Sequence, residues 1–190
     1  ISSGDGVDLP ALWELPPTFD KKKRYPVIIS IYGGPDAGTV RNAWASTQAH
    51  YWAQRGVIWM ALDHRGSGHH GKTGVALMHR ALGKWEMHDY GKAADWLRAQ
   101  PFVARDRIGI TGGSYGGYTT LMALTKGAPQ FNVGVASAPV SDWRLYDTVY
   151  TERYMDRPSE NPDGYRDGAV LTWADRYVGG LRLTHGTIDD

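Results

Sequence analysis

A hydroxyl nucleophile needs a backbone that thrusts it out of the fold, and Gly112-Gly113-Ser114-Tyr115-Gly116 has the composition to do so. The pattern is G-x-S-x-G; it follows the apolar run Ile108-Gly109-Ile110 and leads through Gly117 into a helical segment. A serine on a sharp strand-to-helix turn is held in a strained conformation, and its neighbours must be small because a Cβ there collides with adjacent strands. Backbone N–H groups at the helix start, beginning with that of Tyr115, then point to where an oxyanion would form. The chemistry is acyl transfer. A serine is a weak nucleophile unaided, so an acid and a histidine base are expected downstream, in the order Ser, Asp or Glu, His. Carboxylates are found in His185-Gly186-Thr187-Ile188-Asp189-Asp190, just past the run Leu181-Arg182-Leu183-Thr184. No His follows them; His185 precedes them and reads as a structural residue of a strand-to-loop turn. His64, His69, His70, His79 and His88 precede the serine and read as surface or loop residues.

A rival motif is Gly66-Ser67-Gly68-His69-His70-Gly71-Lys72-Thr73, which satisfies the phosphate-cradling G-x-x-x-x-G-K-[ST] and contains G-x-G-x-x-G. Three features weigh against a nucleotide site. Asp63-His64-Arg65 separates the preceding apolar run from the first glycine, Gly74 sits where the helix should start, and no later strand ends in the Asp that would hold Mg²⁺. The seven His do not pair in the H-E-x-x-H manner, so no metal is expected.

To position Ser114 the chain must place several strand ends on one edge. Residues 27–32 and 57–62 are short and strongly apolar, as buried parallel strands are, and 107–111, 133–138 and 181–184 continue the series. Helices are expected over 43–55, closed by Gly56, over 89–100, stopped by Pro101, and over 117–126. Strands alternating with helices predict a mostly parallel sheet with helices on both faces and the chemistry at the strand C-terminal ends. Residues 146–176 lack clean periodicity and predict short helices in an irregular segment. The basic run Lys21 to Arg24 reads as a solvated turn before a strand.

The 190 residues carry 21 basic and 20 acidic side chains, a net charge of +1, which excludes a strong global attraction to nucleic acid or anionic membrane. No apolar run approaches the roughly 18 residues of a membrane-spanning helix. The absence of Cys excludes disulfides, thiolate metal sites and cysteine nucleophiles. Eight Trp and 11 Tyr against three Phe imply amphipathic aromatic pockets.

Taken together, seven segments resemble the prolyl oligopeptidase family of serine peptidases, and within it the dipeptidyl peptidase IV branch. They are Tyr32-Gly33-Gly34-Pro35, Asp63-His64-Arg65-Gly66-Ser67-Gly68, the serine motif through Tyr118, Ala138-Pro139-Val140-Ser141-Asp142-Trp143, Tyr146-Asp147, Val149-Tyr150-Thr151-Glu152-Arg153-Tyr154-Met155, and His185 to Asp190. The resemblance implies an α/β-hydrolase fold, incomplete at its C-terminus, with residues 1–190 a partial catalytic domain. Relatives add an N-terminal β-propeller and a C-terminal His segment, so a piece of a larger enzyme is expected. In that resemblance Ser114 looks like the acylated nucleophile and Asp189 like the triad acid. Tyr32 matches the tyrosine that donates to the oxyanion beside the Tyr115 N–H. Val140, Trp143, Tyr146 and Tyr150, with Tyr115, match a pocket for a proline ring, with Tyr hydroxyls expected at its mouth; Arg153 resembles a residue near the substrate's amino end. The implied substrates are peptides with Pro or Ala second, cleaved to release a dipeptide without cofactor. A homodimer and a periplasmic or secreted setting are further implications. Alternatives are a tripeptidyl or acylaminoacyl peptidase, an inactive fragment or non-catalytic binding relative, and the nucleotide binder.

Overall fold

The computed structural model describes residues 1–189; Asp190, the second carboxylate of the closing motif, lies outside the described residues. Its strands are β1 (Ala11–Glu14), β2 (Tyr25–Ser30), β3 (Ile58–Leu62), β4 (Val103–Gly113), β5 (Val133–Ser137) and β6 (Gly180–Thr184). They form one sheet in the order β1-β3-β2-β4-β5-β6, parallel except for the antiparallel pairing of β1 with β3. The helices are α1 (Thr47–Ala53), α2 (Gly71–Ala76), α3 (Trp85–Ala99), α4 (Tyr115–Leu124), α5 (Thr148–Met155) and α6 (Pro162–Gly168), and 3-10 turns span Trp143–Leu145 and Val170–Arg176.

One face of the sheet is buried under α3 and α4. Val27, Ile29, Ile58, Met60, Leu62, Ile108 and Ile110 point into it and meet Tyr90, Ala93, Ala94 and Leu97 of α3 and Ala123 and Leu124 of α4. Each such aliphatic side chain contributes about 1.5–3 kcal/mol relative to exposure. The other face carries α1 against β1 and β3, and over β5 it presents Val133 and Val135 to solvent. The sequence expectation of helices on both faces of a mostly parallel sheet holds.

Several boundaries differ from expectation, each for a local reason. Residues 43–46 are not helical. The Asp63 carboxylate binds the Thr39 and Val40 N–H groups and holds the approach as a loop, and Ser46 caps α1 by accepting from the Ala49 N–H at 3.1 Å. Helix α3 begins four residues before the expected start at Asp89, because Glu86, a charged residue ahead of the apolar pattern, is fully buried and accepts from the Gly83 N–H. Strand β4 is more than twice its expected length; its first residues pair with Tyr25 before a register shift. The sequence reading missed β1 and the short α2. The basic run at 21–24 is the exposed turn expected before β2.

Candidate active site

The glycines around Ser114 have no room for a side chain. A Cβ on Gly112 would lie 2.6 Å from the Ile31 carbonyl oxygen, one on Gly116 the same distance from that oxygen, and one on Gly117 2.7 Å from the Ser137 oxygen. The turn is therefore wedged between the ends of β2 and β5, and Ser114 takes φ 56°, ψ −119°, a region costly for any non-glycine residue. Its N–H donates to the Ser137 carbonyl at 2.9 Å, and its side chain makes no capping bond to α4, which leaves the hydroxyl exposed at the sheet edge. Tyr115 is the first residue of α4, so its N–H is among those a helix cannot satisfy internally.

The neighbouring strand ends are stitched to this turn. Ala138, at φ 43°, donates its N–H to Thr184 at 2.7 Å, and the Thr184 hydroxyl donates to the Ser137 hydroxyl at 3.0 Å. These bonds bring the loops after β4, β5 and β6 to one cavity of about 430 Å³, lined by Ser114, Ala138 to Asp142, Leu145, Tyr146, His185 and Asp189. Asp189 lies 3.1 Å from Nδ1 of His185, so the histidine expected to be structural sits in its turn but faces the serine cavity, paired with the expected acid. A larger cavity of about 740 Å³ lies toward the other end of the sheet, beneath the 39–46 loop, and contains none of the expected site residues.

The expected pocket aromatics form a connected cluster. Tyr32 and Tyr115 have ring centroids 6.1 Å apart, Tyr115 and Trp143 5.2 Å, Trp143 and Tyr150 6.0 Å in a stacked pair, and Tyr146 and Tyr150 5.6 Å. Trp143 is buried beneath Tyr146 and Tyr150 and floors the cluster, while Val140 packs at its side. Arg153 is exposed one turn along α5 from Tyr150, with its guanidinium 5.5 Å from the Tyr154 ring centroid.

Two expectations need correction. The Tyr115 hydroxyl is not at the pocket mouth: it is buried and donates to Glu86 Oε1 at 2.6 Å, and burial together with the Glu86 charge pushes its ionisation well above the usual phenol range. Burial raises Tyr118 and Tyr150 likewise. His64 lies in the loop after β3, as expected, but is fully buried there and not at the surface; its Nε2 lies 2.9 Å from the Gly33 oxygen and its Nδ1 accepts from the Gly66 N–H at 3.1 Å. The signal for Glu86 was present, since Glu86, Tyr90, Ala93 and Leu97 fall on one helical stripe, all buried. Nothing near His64 in sequence announced its burial.

Electrostatics organise the surroundings. Asp142 caps the 3-10 turn of Trp143 and is gripped at 2.5 Å by Arg144, whose hydrogen bonds hold its carboxyl below the usual range. Arg65 is buried, stacks on Trp85 at 4.2 Å and bonds Asp89 at 2.6 Å, tying the turn after β3 to α3. The phosphate-loop pattern at 66–73 lies in this turn. Its N–H groups at Gly66, Ser67 and Gly71 are spent on His64 and Gly68, so they are not splayed to cradle a phosphate.

Comparison with known proteins agrees with this geometry. The model of the prolyl oligopeptidase family matches residues 43–190. The Neurospora crassa protein described as "Probable dipeptidyl-aminopeptidase B" is 43% identical over 98% of this chain and 20% of its own length. A protein of the same description from Trichophyton verrucosum is 38% identical, over 98% and 21%. The crystal structure of Porphyromonas gingivalis dipeptidyl peptidase 4 superposes with a TM-score of 0.94 at 40% identity, covering 97% of this chain and 26% of that one. The chain thus spans about a fifth of the length of the curated relatives it matches.

Proposed function

Because the chain belongs to the prolyl oligopeptidase family, we propose that it carries the nucleophile, triad acid, oxyanion donors and proline pocket of a serine peptidase that releases N-terminal Xaa-Pro or Xaa-Ala dipeptides. The observation that carries this reading is the strained Ser114, which opens with Asp189 onto one cavity walled by Val140 and Tyr146.

In this mechanism Ser114 Oγ attacks the carbonyl carbon of the second substrate residue, and its proton passes to an imidazole. The base is assigned to a His outside residues 1–190, as in the family. Asp189 orients that imidazole and stabilises its charged form. The oxyanion is held by the Tyr115 N–H, at the positive end of α4, and by the Tyr32 phenol. Collapse of the intermediate breaks the C–N bond, the imidazolium gives its proton to the departing amine, and water then hydrolyses the dipeptidyl ester by the same route. The stacked faces of Tyr150 and Trp143 with Val140 suit a flat, rigid pyrrolidine ring, which enters without losing rotamer freedom. Arg153 is assigned to the amino-end side of the substrate. A homodimer and an extracytoplasmic location accompany this reading through the family resemblance alone.

The test is hydrolysis of a Gly-Pro-coumarin amide by the full-length protein, beside its N-acetylated counterpart and a Ser114→Ala variant. Release of coumarin only from the free-amine substrate, abolished in Ser114→Ala, is expected. Turnover by Ser114→Ala near wild type overturns the nucleophile assignment, and equal cleavage of the acetylated substrate points to an acylaminoacyl peptidase instead.

A further inference from the structure

We propose that His64 is a positioning residue for the oxyanion tyrosine, acting through the Gly33 carbonyl to hold the turn on which Tyr32 rests. The inference builds on the role given to Tyr32 above. Because the Gly66 N–H donates to Nδ1, that nitrogen is unprotonated; Nε2 therefore bears the proton and donates it to Gly33 O. Both ring nitrogens are committed, in a fully buried site whose ring edge meets Tyr90 at 5.7 Å. A buried imidazole in a core of this kind is expensive unless both nitrogens are satisfied, and here they are satisfied by two different loops.

The held turn has little freedom to dissipate a displacement. Gly33 sits at φ +81°, with Thr119 Oγ1 and Tyr90 Oη at 3.0 and 3.2 Å from where its Cβ would be. Gly34 lies against the Tyr32 ring, its would-be Cβ 2.7 Å from Cε1. On the other side the Tyr32 backbone abuts Gly116 of the serine turn. A shift of the Gly33-Gly34 peptide is thus passed to the phenol. The segment that carries His64 is itself fixed: Gly66 O accepts from the Asp36 N–H at 2.9 Å, Asp63 binds the Thr39 and Val40 N–H groups, and Arg65 is locked to Asp89. The turn after β3 therefore clasps the loop after β2 at three points, and the His64 bond is the one nearest Tyr32.

The experiment is a double-mutant cycle in the full-length protein, read as kcat and KM on Gly-Pro-coumarin amide. His64→Leu is expected to lower kcat about tenfold, the worth of one buried hydrogen bond, with KM changed less than about twofold. His64→Gln, whose amide nitrogen can take the place of Nε2, is expected to recover most of that loss. In a Tyr32→Phe background, His64→Leu should cost less than about a further twofold. An equal factor in both backgrounds, or wild-type kcat in His64→Leu, overturns the proposal. If His64→Leu fails to fold by circular dichroism, His64→Asn carries the same comparison, since it keeps a polar group near Gly66 and withdraws the donor from Gly33. The two levels of failure are distinct: if Tyr32→Phe itself leaves kcat unchanged, the oxyanion role of Tyr32 is wrong and this inference falls with it.

Discussion

Gly116→Ala puts one methyl group into the tightest part of the site. Its Cβ would stand 2.6 Å from the Ile31 oxygen and 3.3 Å from Tyr32 Cα. The end of β2 and the start of α4 must separate by about 0.4 Å merely to reach 3.0 Å, below which Cβ contacts essentially do not occur. Both obstacles are backbone, and Ile31 is pinned by its N–H to Thr111 at 3.0 Å, so no side chain can swing away. Overpacking of this kind costs about 1–3 kcal/mol, and the rigid surroundings place it at the upper end. A Gly to Ala change inside a helix returns about 1 kcal/mol. The net loss is about 2 kcal/mol, a fall in melting temperature of about 4–8 °C. The displacement falls between Ser114, the Tyr115 N–H and Tyr32, so kcat should drop by about tenfold or more as the oxyanion donors spread. Gly91→Ala in α3 is the matched control: nothing lies within 4 Å of its Cβ, and the same helix gain should raise the melting temperature by about 2–4 °C. Thermal denaturation followed by Trp fluorescence and coumarin-release kinetics measure both. A Gly116→Ala protein that melts within 1 °C of wild type (about 0.4 kcal/mol) and keeps full kcat would refute the reasoning.

Three further outcomes follow from the same contacts. Tyr115→Phe leaves the buried Glu86 carboxylate without its phenol donor and should cost about 1.5–3 kcal/mol in urea denaturation, with part recovered by adding Glu86→Gln; no loss would mean the bond is idle. His185→Gln removes an exposed partner of Asp189 and should lower kcat/KM by no more than about fivefold, the value of an exposed ion pair of up to about 1 kcal/mol. A fall of about 10⁴ or more would instead make His185 the general base. Because burial raises the Tyr115 and Tyr118 phenols above their unfolded values, their stabilising contribution is complete below about pH 10 and is lost as pH climbs beyond it toward the folded values. Difference titration at 295 nm against the Tyr→Phe variants should show them ionising only with unfolding; reversible ionisation near pH 10 in the folded protein would contradict the burial argument.

The serine turn was legible because its requirement is local. A strand ending in φ 56° at Ser114 with no space at 112, 116 and 117 can be built only from glycines at those positions, and that constraint is written in six consecutive residues. The parallel strands were legible for a related reason: a strand buried under helices needs an unbroken apolar run, as at 57–62. The family resemblance added roles for Val140 and for Tyr32, Trp143, Tyr146 and Tyr150, aromatics that composition alone would have left as ordinary core packing.

What the sequence by itself determined, then, is the kind of backbone at each strand end and the order in which chemical groups arrive at the edge. The tertiary structure decided which way the polar side chains turn. Asp89 opens the expected helix with nothing local to mark it as buried, yet Arg65 arrives from a distant segment to satisfy it, and Glu86, though it falls on the buried stripe of α3, finds its donor in Tyr115 from another helix. His64 is the loop residue it looks like, yet it is not at the surface, because the 33–34 turn and Gly66 complete its hydrogen bonds in the core. The 43–46 segment looks helical, yet a carboxylate at position 63 captures the chain upstream of it. Burying a polar group is costly unless a partner meets it, and that partner is chosen by the packing of segments far apart in the chain, so a local pattern can place such a group on a buried face but cannot name what satisfies it.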